Sequence, residues 1–486
     1  MGYDASWNSI RTHELPQWFR DGKFGIYTHW GIYSVPARGP NGTWYPYNMY
    51  RPGTPQHDHH RKTYGPPEKF GYKEFIPMFT AERFDADEWA ELFRDSGAVF
   101  AGPVAEHHDG FSMWDSSVNP WNAARMGPKR DVTGQLATAI RAQGMRFMVA
   151  LHHAENWWFF NHNDAYDTTD PKYAGLYGEP HDANRSVDDL PRDWTRLTRP
   201  NRAFLDQWLA KTREVIDGYQ PDLMWFDFGI RFIQEHYKRE FLAYYYNAAR
   251  EWGRGVVVTY KNHDLVPGSG LIDLELGRFS NMTYNEWITD TTVDDGEGWC
   301  FLTDNTYKKP TEVVHYLIDN VSKNGHLLLN VDPKPDGTIP DQSQQILREI
   351  GKWLRVNGEA IYGTTPWMAY GEGPTRMEKT GGFTEGEKLV YTSSDFRFTV
   401  RDDVLYAIAL AWPEREAVIT TVWEKLYPQE IVRISMLGID GDLRWTYDDA
   451  ARALTVETPD RRPCDHAYVF RIERRRPFGG QQGGQP

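Results

Sequence analysis

Short apolar runs that end on titratable side chains recur along the first two-thirds of the chain. Residues 223–226 (Leu-Met-Trp-Phe) form one such run, which ends on Asp227 and is followed by Gly229. An apolar run without alternation is typical of a parallel strand covered on both faces. Barrel enzymes carry catalytic groups at the carboxyl ends of such strands. Asp227 is therefore a candidate catalytic residue, although an aspartate here can also simply cap the next segment.

Similar runs alternate with helix-like segments. The strand-like runs cover residues 23–31, 99–105, 146–151, 223–226, 255–260, 271–278 and 327–331, and the helix-like segments cover residues 84–96, 133–143, 202–217, 241–252, 313–322 and 342–356. This alternation predicts an α/β fold with a parallel sheet. Because polar groups repeatedly follow the strands, a (β/α)8-like barrel is favoured over an open sheet. No Gly-x-Gly-x-x-Gly follows a first strand, so nothing indicates a dinucleotide fold.

The pattern changes near residue 366, where short strand-like runs separated by turns replace the alternation. These runs cover residues 389–391, 396–400, 405–411, 431–434, 443–447, 454–458 and 467–471. They predict a C-terminal antiparallel β-sandwich. The predicted organisation is a catalytic barrel over residues 1–365, the β-sandwich over 366–475, and a disordered low-complexity tail over 476–486.

Composition narrows the function classes. The formal net charge of -14 argues against a nucleic-acid partner, and two cysteines cannot form a disulfide scaffold or a cysteine metal cluster. No apolar run approaches the roughly 18 residues of a membrane span, and no signal peptide is recognisable, so we expect a cytoplasmic protein. Aromatic residues make up 15% of the chain, with 20 Trp and 27 Tyr. Such a content favours a carbohydrate-binding cleft, since aromatic faces pack against sugars.

Several histidines end strands that are predicted to share one face of the barrel: His29, His107, His108, His152 and His153. Converging imidazoles can bind a metal. However, adjacent residues of an extended chain point in opposite directions, so each pair supplies at most one ligand. They can also be satisfied polar groups in a barrel mouth, or donors and acceptors for a hydroxyl-rich ligand. We expect no metal and no cofactor.

A carboxylate nucleophile needs a second carboxyl group as acid/base. Glu275 lies in the apolar run at residues 271–278, where burial would raise the pKa of its carboxyl. Glu286 is the alternative, in a predicted loop. Either can instead be a salt-bridge partner of Arg278 or a solvated residue. No Gly-x-Ser-x-Gly elbow supports acyl transfer.

Several blocks resemble the α-L-fucosidases of glycoside hydrolase family 29. They are Phe-Gly-Ile-Tyr-Thr-His-Trp-Gly-Ile-Tyr-Ser-Val-Pro-Ala at residues 24–37, Trp-Tyr at 44–45, His-His-Asp-Gly-Phe at 107–111, Pro-Lys-Arg-Asp at 128–131, Trp-Phe-Asp at 225–227, Leu-Leu-Leu-Asn-Val at 327–331, Pro-Asp-Gly-Thr-Ile-Pro at 335–340 and Asn-Gly-Glu-Ala-Ile-Tyr at 357–362. The resemblance covers nearly the whole chain. It implies a retaining exo-α-L-fucosidase with a barrel, a C-terminal β-sandwich and no metal.

The resemblance also implies roles for individual residues. Asp227 matches the family's nucleophile, and Glu275 is placed approximately as its acid/base. The residues that would hold the sugar are His29, Trp44, His107, His108, His152, Trp225 and Lys261, with His153 as a further contact. The implied partner is a fucosylated oligosaccharide or glycoconjugate, which is the substrate.

The chain departs from the family pattern at a few positions. Thr43 stands where many members have Glu, and Glu106 where many have Lys. Lys261 or Asn262 takes the place of a sugar-contacting Arg. These departures permit a related exo-glycosidase that acts on a fucose-like sugar such as an α-L-galactoside. A non-catalytic carbohydrate-binding protein on the same fold is the other alternative, and it would require the acid/base to be absent.

Overall fold

The computed structural model of the chain describes residues 2–180, 199–296 and 298–475. Eight strands form a closed barrel in sequence order. They are β1 (Phe24–Thr28), β2 (Phe100–Glu106), β3 (Arg146–Leu151), β4 (Leu223–Phe226), β5 (Val257–Lys261), β6 (Leu271–Asp273), β7 (Trp287–Thr292) and β8 (Gly325–Val331). The strand pairs from β1 to β6 are parallel. The carboxyl ends of parallel strands meet at one end of a barrel, so the groups that follow them are brought together there.

The chain has helices before β1, between most pairs of consecutive barrel strands but not between β5 and β7, and after β8. They are α1 (Trp7–Ile10), α2 (Gln17–Gly22), α3 (Tyr45–Asn48), α4 (Pro55–Thr63), α5 (Ala86–Asp95), α6 (Val132–Ala142), α7 (Asn156–Phe159), α8 (Ala174–Tyr177), α9 (Arg202–Tyr219), α10 (Glu235–Glu251), α11 (Pro310–Ser322), α12 (Asp341–Asn357) and α13 (Thr420–Lys425). Side-chain caps start several of them. For example, the Asp85 carboxylate accepts bonds from the backbone N–H groups of Asp87 and Glu88 at the start of α5. No helix of the described ranges is long and apolar enough to cross a membrane.

The C-terminal part contains two antiparallel sheets. Their strands are β9 (Thr365–Glu372), β10 (Phe396–Arg401), β11 (Val404–Ala409), β12 (Glu416–Ile419), β13 (Ile431–Met436), β14 (Trp445–Asp448), β15 (Ala453–Glu457) and β16 (Tyr468–Arg474). The larger sheet has the order β13-β16-β11-β10-β9 and the smaller one β12-β15-β14. A shared apolar core includes Phe398 and Leu405 of the first sheet and Leu454 of the second. The predicted fold class, a barrel followed by antiparallel β-sheets, is confirmed.

Some element predictions were wrong in detail. The strand predicted over residues 271–278 ends at Asp273, and residues 389–391 are not a strand. The strands β7, β9 and β12 were not predicted. β7 reads Trp-Ile-Thr-Asp-Thr-Thr, yet all six residues are buried. A search for apolar runs misses this strand because four of its six residues, three threonines and one aspartate, are polar although they are buried.

The chain forms two compact units whose segments interleave. One comprises residues 1–275, 290–308 and 328–348, and the other 276–289, 309–327 and 349–486. The proposed boundary at residues 365/366 stays a prediction, and the tail predicted over 476–486 lies outside the described residues.

A buried ion cluster lies within the second unit. The Asp319 carboxylate is 2.6 Å from Arg397 Nε, 2.8 Å from Lys323 Nζ and 3.6 Å from Arg278 Nη1. Burial alone would raise the pKa of Asp319, but these three cations hold it well below its usual value. Side chains from three separate chain segments therefore depend on one another for charge compensation.

Candidate active site

A solvent-open cavity of ≈ 50 Å³ lies at the carboxyl ends of the barrel strands. Its lining consists of Tyr27, His29, Asn41, Thr43, Trp44, His107, His152, Trp225, Asp227, Glu275, Asp290 and Trp299. Seven of the nine predicted site residues are in this set. The other two are not part of the lining but contact residues that are: His108 contacts Asp227, and Lys261 contacts Glu275.

Asp227 is the first residue after β4 and is only 8% exposed. Its Oδ2 lies 3.0 Å from His152 Nδ1 and 3.3 Å from His108 Nε2. Burial would raise the pKa of Asp227, but the two imidazoles outweigh it and hold that pKa well below the usual value. Gly229 lets the chain turn away here: it has φ +103°, and an added Cβ would lie 2.4 Å from Glu155 Cγ. Asp227 is therefore an ionised carboxylate at neutral pH.

His108 is built to carry a positive charge beside Asp227. Its Nδ1 donates to the backbone carbonyl of His152 at 2.8 Å. Donation from Nε2 to Asp227 then requires a proton on both nitrogens. Although burial lowers the pKa of His108, the bond to Asp227 and the nearby Glu155 carboxylate raise it above the ordinary value. The nucleophile candidate thus has an adjacent cation.

His29 and His107 are neutral by contrast. The backbone N–H and Nδ1 of His29 both donate to Asn330 Oδ1, each at 2.9 Å, which turns Nε2 into an acceptor. His107 Nδ1 is buried and has no hydrogen-bond partner in the described parts of the chain. Burial is the main reason that the pKa values of both imidazoles lie well below 6.5. Neutral imidazoles can donate hydrogen bonds to hydroxyls and accept them from hydroxyls.

Lys261, at the end of β5, lies among three carboxylates. Its Nζ is 2.6 Å from Asp290 Oδ1, 3.1 Å from Asp273 Oδ2 and 3.3 Å from Glu275 Oε2. Tyr27 donates to the other oxygen of Asp290 at 2.9 Å. One ammonium cannot neutralise three buried carboxylates, so protons must be held within the cluster.

Glu275 holds one of these protons. It lies two residues beyond β6, and its side chain is 16% exposed. Burial raises its pKa; Lys261 opposes this, whereas Asp290 and Asp227 add to it, and the result is a pKa of about 8. A protonated carboxyl and an ionised one, Asp227, therefore face the same cavity at neutral pH. This is the pairing that glycoside hydrolysis requires.

Aromatic rings form much of the remaining wall. The Trp299 ring lies 5.3 Å from that of His29, and the Trp44 ring 5.6 Å from that of His108. Trp225 packs against His152 at 5.1 Å, and its indole N–H donates to Asp273 at 2.6 Å. Trp225 thus presents a face rather than its donor to the cavity.

Other predicted residues lie elsewhere. Glu106 does not line the cavity, because its carboxylate accepts from Lys211 Nζ at 2.6 Å and from Ser112 Oγ at 2.5 Å. His153 stacks on Trp208. Glu286, the alternative acid/base, is also absent from the lining.

Sequence reasoning missed several groups of the site: Tyr27, Asn41, Asp273, Asp290, Trp299 and Asn330. A polar residue inside a buried run is the signal that was available for Asp273 and Asn330.

The chain matches known proteins over nearly its full length. Residues 1–359 match the sequence model of the family described as Alpha-L-fucosidase, and residues 387–473 match its C-terminal domain. Tissue alpha-L-fucosidase of Homo sapiens is 30% identical over 97% of this chain and 91% of the human protein. Thermotoga maritima alpha-fucosidase in complex with fucose has a TM-score of 0.76 and 28% identity, over 97% of this chain and 100% of that one. The same enzyme with a mechanism-based inhibitor has a TM-score of 0.77, with the same identity and coverage. The chain therefore belongs to the α-L-fucosidases of glycoside hydrolase family 29.

Proposed function

We propose that this α-L-fucosidase is a retaining exo-enzyme that removes terminal α-L-fucose through a covalent glycosyl-aspartate. The observation that carries the proposal is the contrast between two carboxyl groups of one cavity. Asp227 is held ionised by its histidines, and Glu275 is held protonated to about pH 8. Environments that push two pKa values apart assign the nucleophile and the acid.

In the first step, an Asp227 oxygen attacks the anomeric carbon while the glycosidic C–O bond breaks. The bond's electron pair goes to the leaving oxygen, which takes the Glu275 proton. In the second step, the Glu275 carboxylate accepts a proton from water as the water oxygen attacks the same carbon. Asp227 leaves, and fucose is released with its configuration retained.

The proposed sugar contacts are the neutral imidazoles of His29, His107 and His152, with aromatic faces from Trp44 and Trp225. The Thermotoga maritima complex with fucose supports a monosaccharide in this place. The small cavity is consistent with one sugar unit at a chain end, and hence with exo action.

Neither alternative has comparable support. Glu106 is neutralised by Lys211 away from the cavity, so one of the two features that would permit an α-L-galactoside is lost. A non-catalytic binding protein would lack the acid, whereas Glu275 lines the cavity beside Asp227.

The test uses an activated aryl α-L-fucoside and an unactivated fucosyl disaccharide. We expect Asp227→Ala to lose at least about 10⁴-fold in kcat on both. Glu275→Gln should lose about 10²–10⁴-fold on the disaccharide. With the aryl fucoside, Glu275→Gln should slow the formation of the fucosyl-enzyme far less, because the aryl leaving group needs little protonation. Glu286→Gln is the matched control and should behave as wild type.

The stereochemistry of the reaction tests the mechanism separately. If the enzyme is retaining, proton NMR during hydrolysis detects α-L-fucose first, and the β anomer appears only by mutarotation. First release of β-L-fucose would contradict the covalent intermediate. Equal losses for Glu275→Gln and Glu286→Gln would contradict the assignment of the acid.

A further inference from the structure

Three neutral histidines from three different strand ends converge in the cavity. One ring nitrogen from each of His29, His107 and His152 lies within 4.8 Å of the others, and all three residues are buried. Sequence reasoning limited each adjacent histidine pair to one ligand. In the structure, His107 and His152 each come from one of the two pairs, and His29 is the third potential ligand.

We propose that these three imidazoles form a binding site for a transition-metal ion, Zn²⁺ in particular, which competes with the sugar and is not a cofactor of the reaction. Three histidine nitrogens with an open fourth position are a known zinc arrangement. Nitrogens bound to one Zn²⁺ at about 2.0–2.1 Å lie about 3.4 Å apart, so the three nitrogens would have to move closer together than the 4.8 Å within which they lie. Hard cations such as Mg²⁺ prefer oxygen ligands and are disfavoured here.

Two of the three imidazoles already have a second-sphere partner. His29 donates Nδ1–H to Asn330 Oδ1 at 2.9 Å, which directs its Nε2 lone pair inward. The Nδ1 of His152 is bonded to the Asp227 carboxylate at 3.0 Å. Its Nε2 is buried without a partner within the described ranges. A carboxylate or carbonyl behind an imidazole orients the ligand and strengthens metal binding, and His29 and His152 have such a partner.

The proposed metal site and the proposed sugar contacts use the same three imidazoles. Because the same nitrogens are the proposed sugar contacts, metal and sugar exclude each other. The metal site itself does not rest on the proposed function, but this competition does.

The experiment uses the full-length enzyme after treatment with a chelator. Isothermal titration with Zn²⁺ should give one high-affinity site, and Co²⁺ should give the visible absorption of a tetrahedral nitrogen site. His107→Asn should weaken Zn²⁺ binding at least about 10-fold. His236→Asn is the matched control, because His236 is exposed on α10, and it should bind as wild type.

Competition gives a readout that needs no variant. L-fucose at about 100 times its Kd should weaken apparent Zn²⁺ binding about 100-fold. Added Zn²⁺ should raise KM without changing kcat, and chelation should restore the original KM. Unchanged Zn²⁺ affinity in a folded His107→Asn protein, or simultaneous binding of Zn²⁺ and L-fucose, would overturn the proposal. Failure to bind L-fucose at all would instead count against the proposed function, while the variants would still test the metal site.

Discussion

The charge of Lys261 should set the pH range over which the enzyme works. Its ammonium lies 3.3 Å from Glu275 Oε2 and opposes the effect of burial on that carboxyl. Lys261→Met removes the charge and keeps most of the side-chain volume. The pKa of Glu275 should then rise above about 8. A general acid must be protonated to act. The alkaline limb of the pH profile, meaning the fall of kcat/KM at high pH, should therefore move to higher pH.

The size of the shift follows from the geometry. At an effective dielectric constant of about 20, unit charges separated by 3.3 Å interact by about 5 kcal/mol. One pKa unit corresponds to about 1.4 kcal/mol, so the upper bound is about 3.7 units. Asp273 contacts the same ammonium, and proton uptake by its carboxyl when the ammonium is lost reduces the shift. We expect the limb to move by at least about one unit.

A matched variant should shift the limb in the opposite direction. The Asp290 carboxylate raises the pKa of Glu275, so Asp290→Asn should move the alkaline limb to lower pH. Lys261→Arg keeps the charge and should leave the limb near its original place. The assay is kcat/KM for an unactivated fucosyl disaccharide between about pH 5 and 10, with thermal unfolding as a check on folding. Shifts of the same sign for Lys261→Met and Asp290→Asn would refute the electrostatic reasoning.

Three further predictions concern supporting contacts. Asn330→Ala removes the acceptor that holds both the backbone N–H and Nδ1 of His29; kcat/KM should fall by about 5- to 150-fold, corresponding to 1–3 kcal/mol for unsatisfied donors. Glu106→Gln should lower the free energy of unfolding by about 3–5 kcal/mol in urea titrations, because it leaves Lys211 buried and unpaired. The double variant Glu106→Leu, Lys211→Met should recover most of this loss. Asp319 has a lowered pKa in the folded state, so its stabilisation is complete above about pH 4 and is lost as pH falls through the folded-state value. Asp319→Asn should therefore be less stable than wild type at pH 7, with a gap that shrinks as pH falls below 4; a constant gap would contradict this.

The predictable part of the site followed from topology alone. Asp227, His29 and His107 are the first residues after strands β4, β1 and β2, and the carboxyl ends of parallel strands meet at one end of a barrel. Glu275 was predicted for a different reason, as an acid in an apolar run. Its strand ends earlier than predicted, at Asp273, but its carboxyl is largely buried, and burial raises its pKa as expected.

The partners of Lys261 could not be predicted from the sequence. They depend on β5, β6 and β7 being neighbours, and β7 was not recognised because its buried residues are mostly polar. The position of Glu106 was also unpredictable, since its ion pair joins β2 to Lys211 of α9, 105 positions away. Such pairings are properties of the closed barrel rather than of any local pattern.

The ion cluster at Asp319 has a consequence for the way the chain is made on the ribosome. Arg397 follows Asp319 by 78 positions, a delay of roughly 4–16 s at 5–20 residues per second. During that time the nascent carboxylate lacks one of its three cations, and its compact unit still awaits residues 349–486. A chain that stops at residue 365 would carry this deficit permanently. The full charge compensation of Asp319 therefore becomes possible only after Arg397 has been synthesised, later than the helix that carries Asp319.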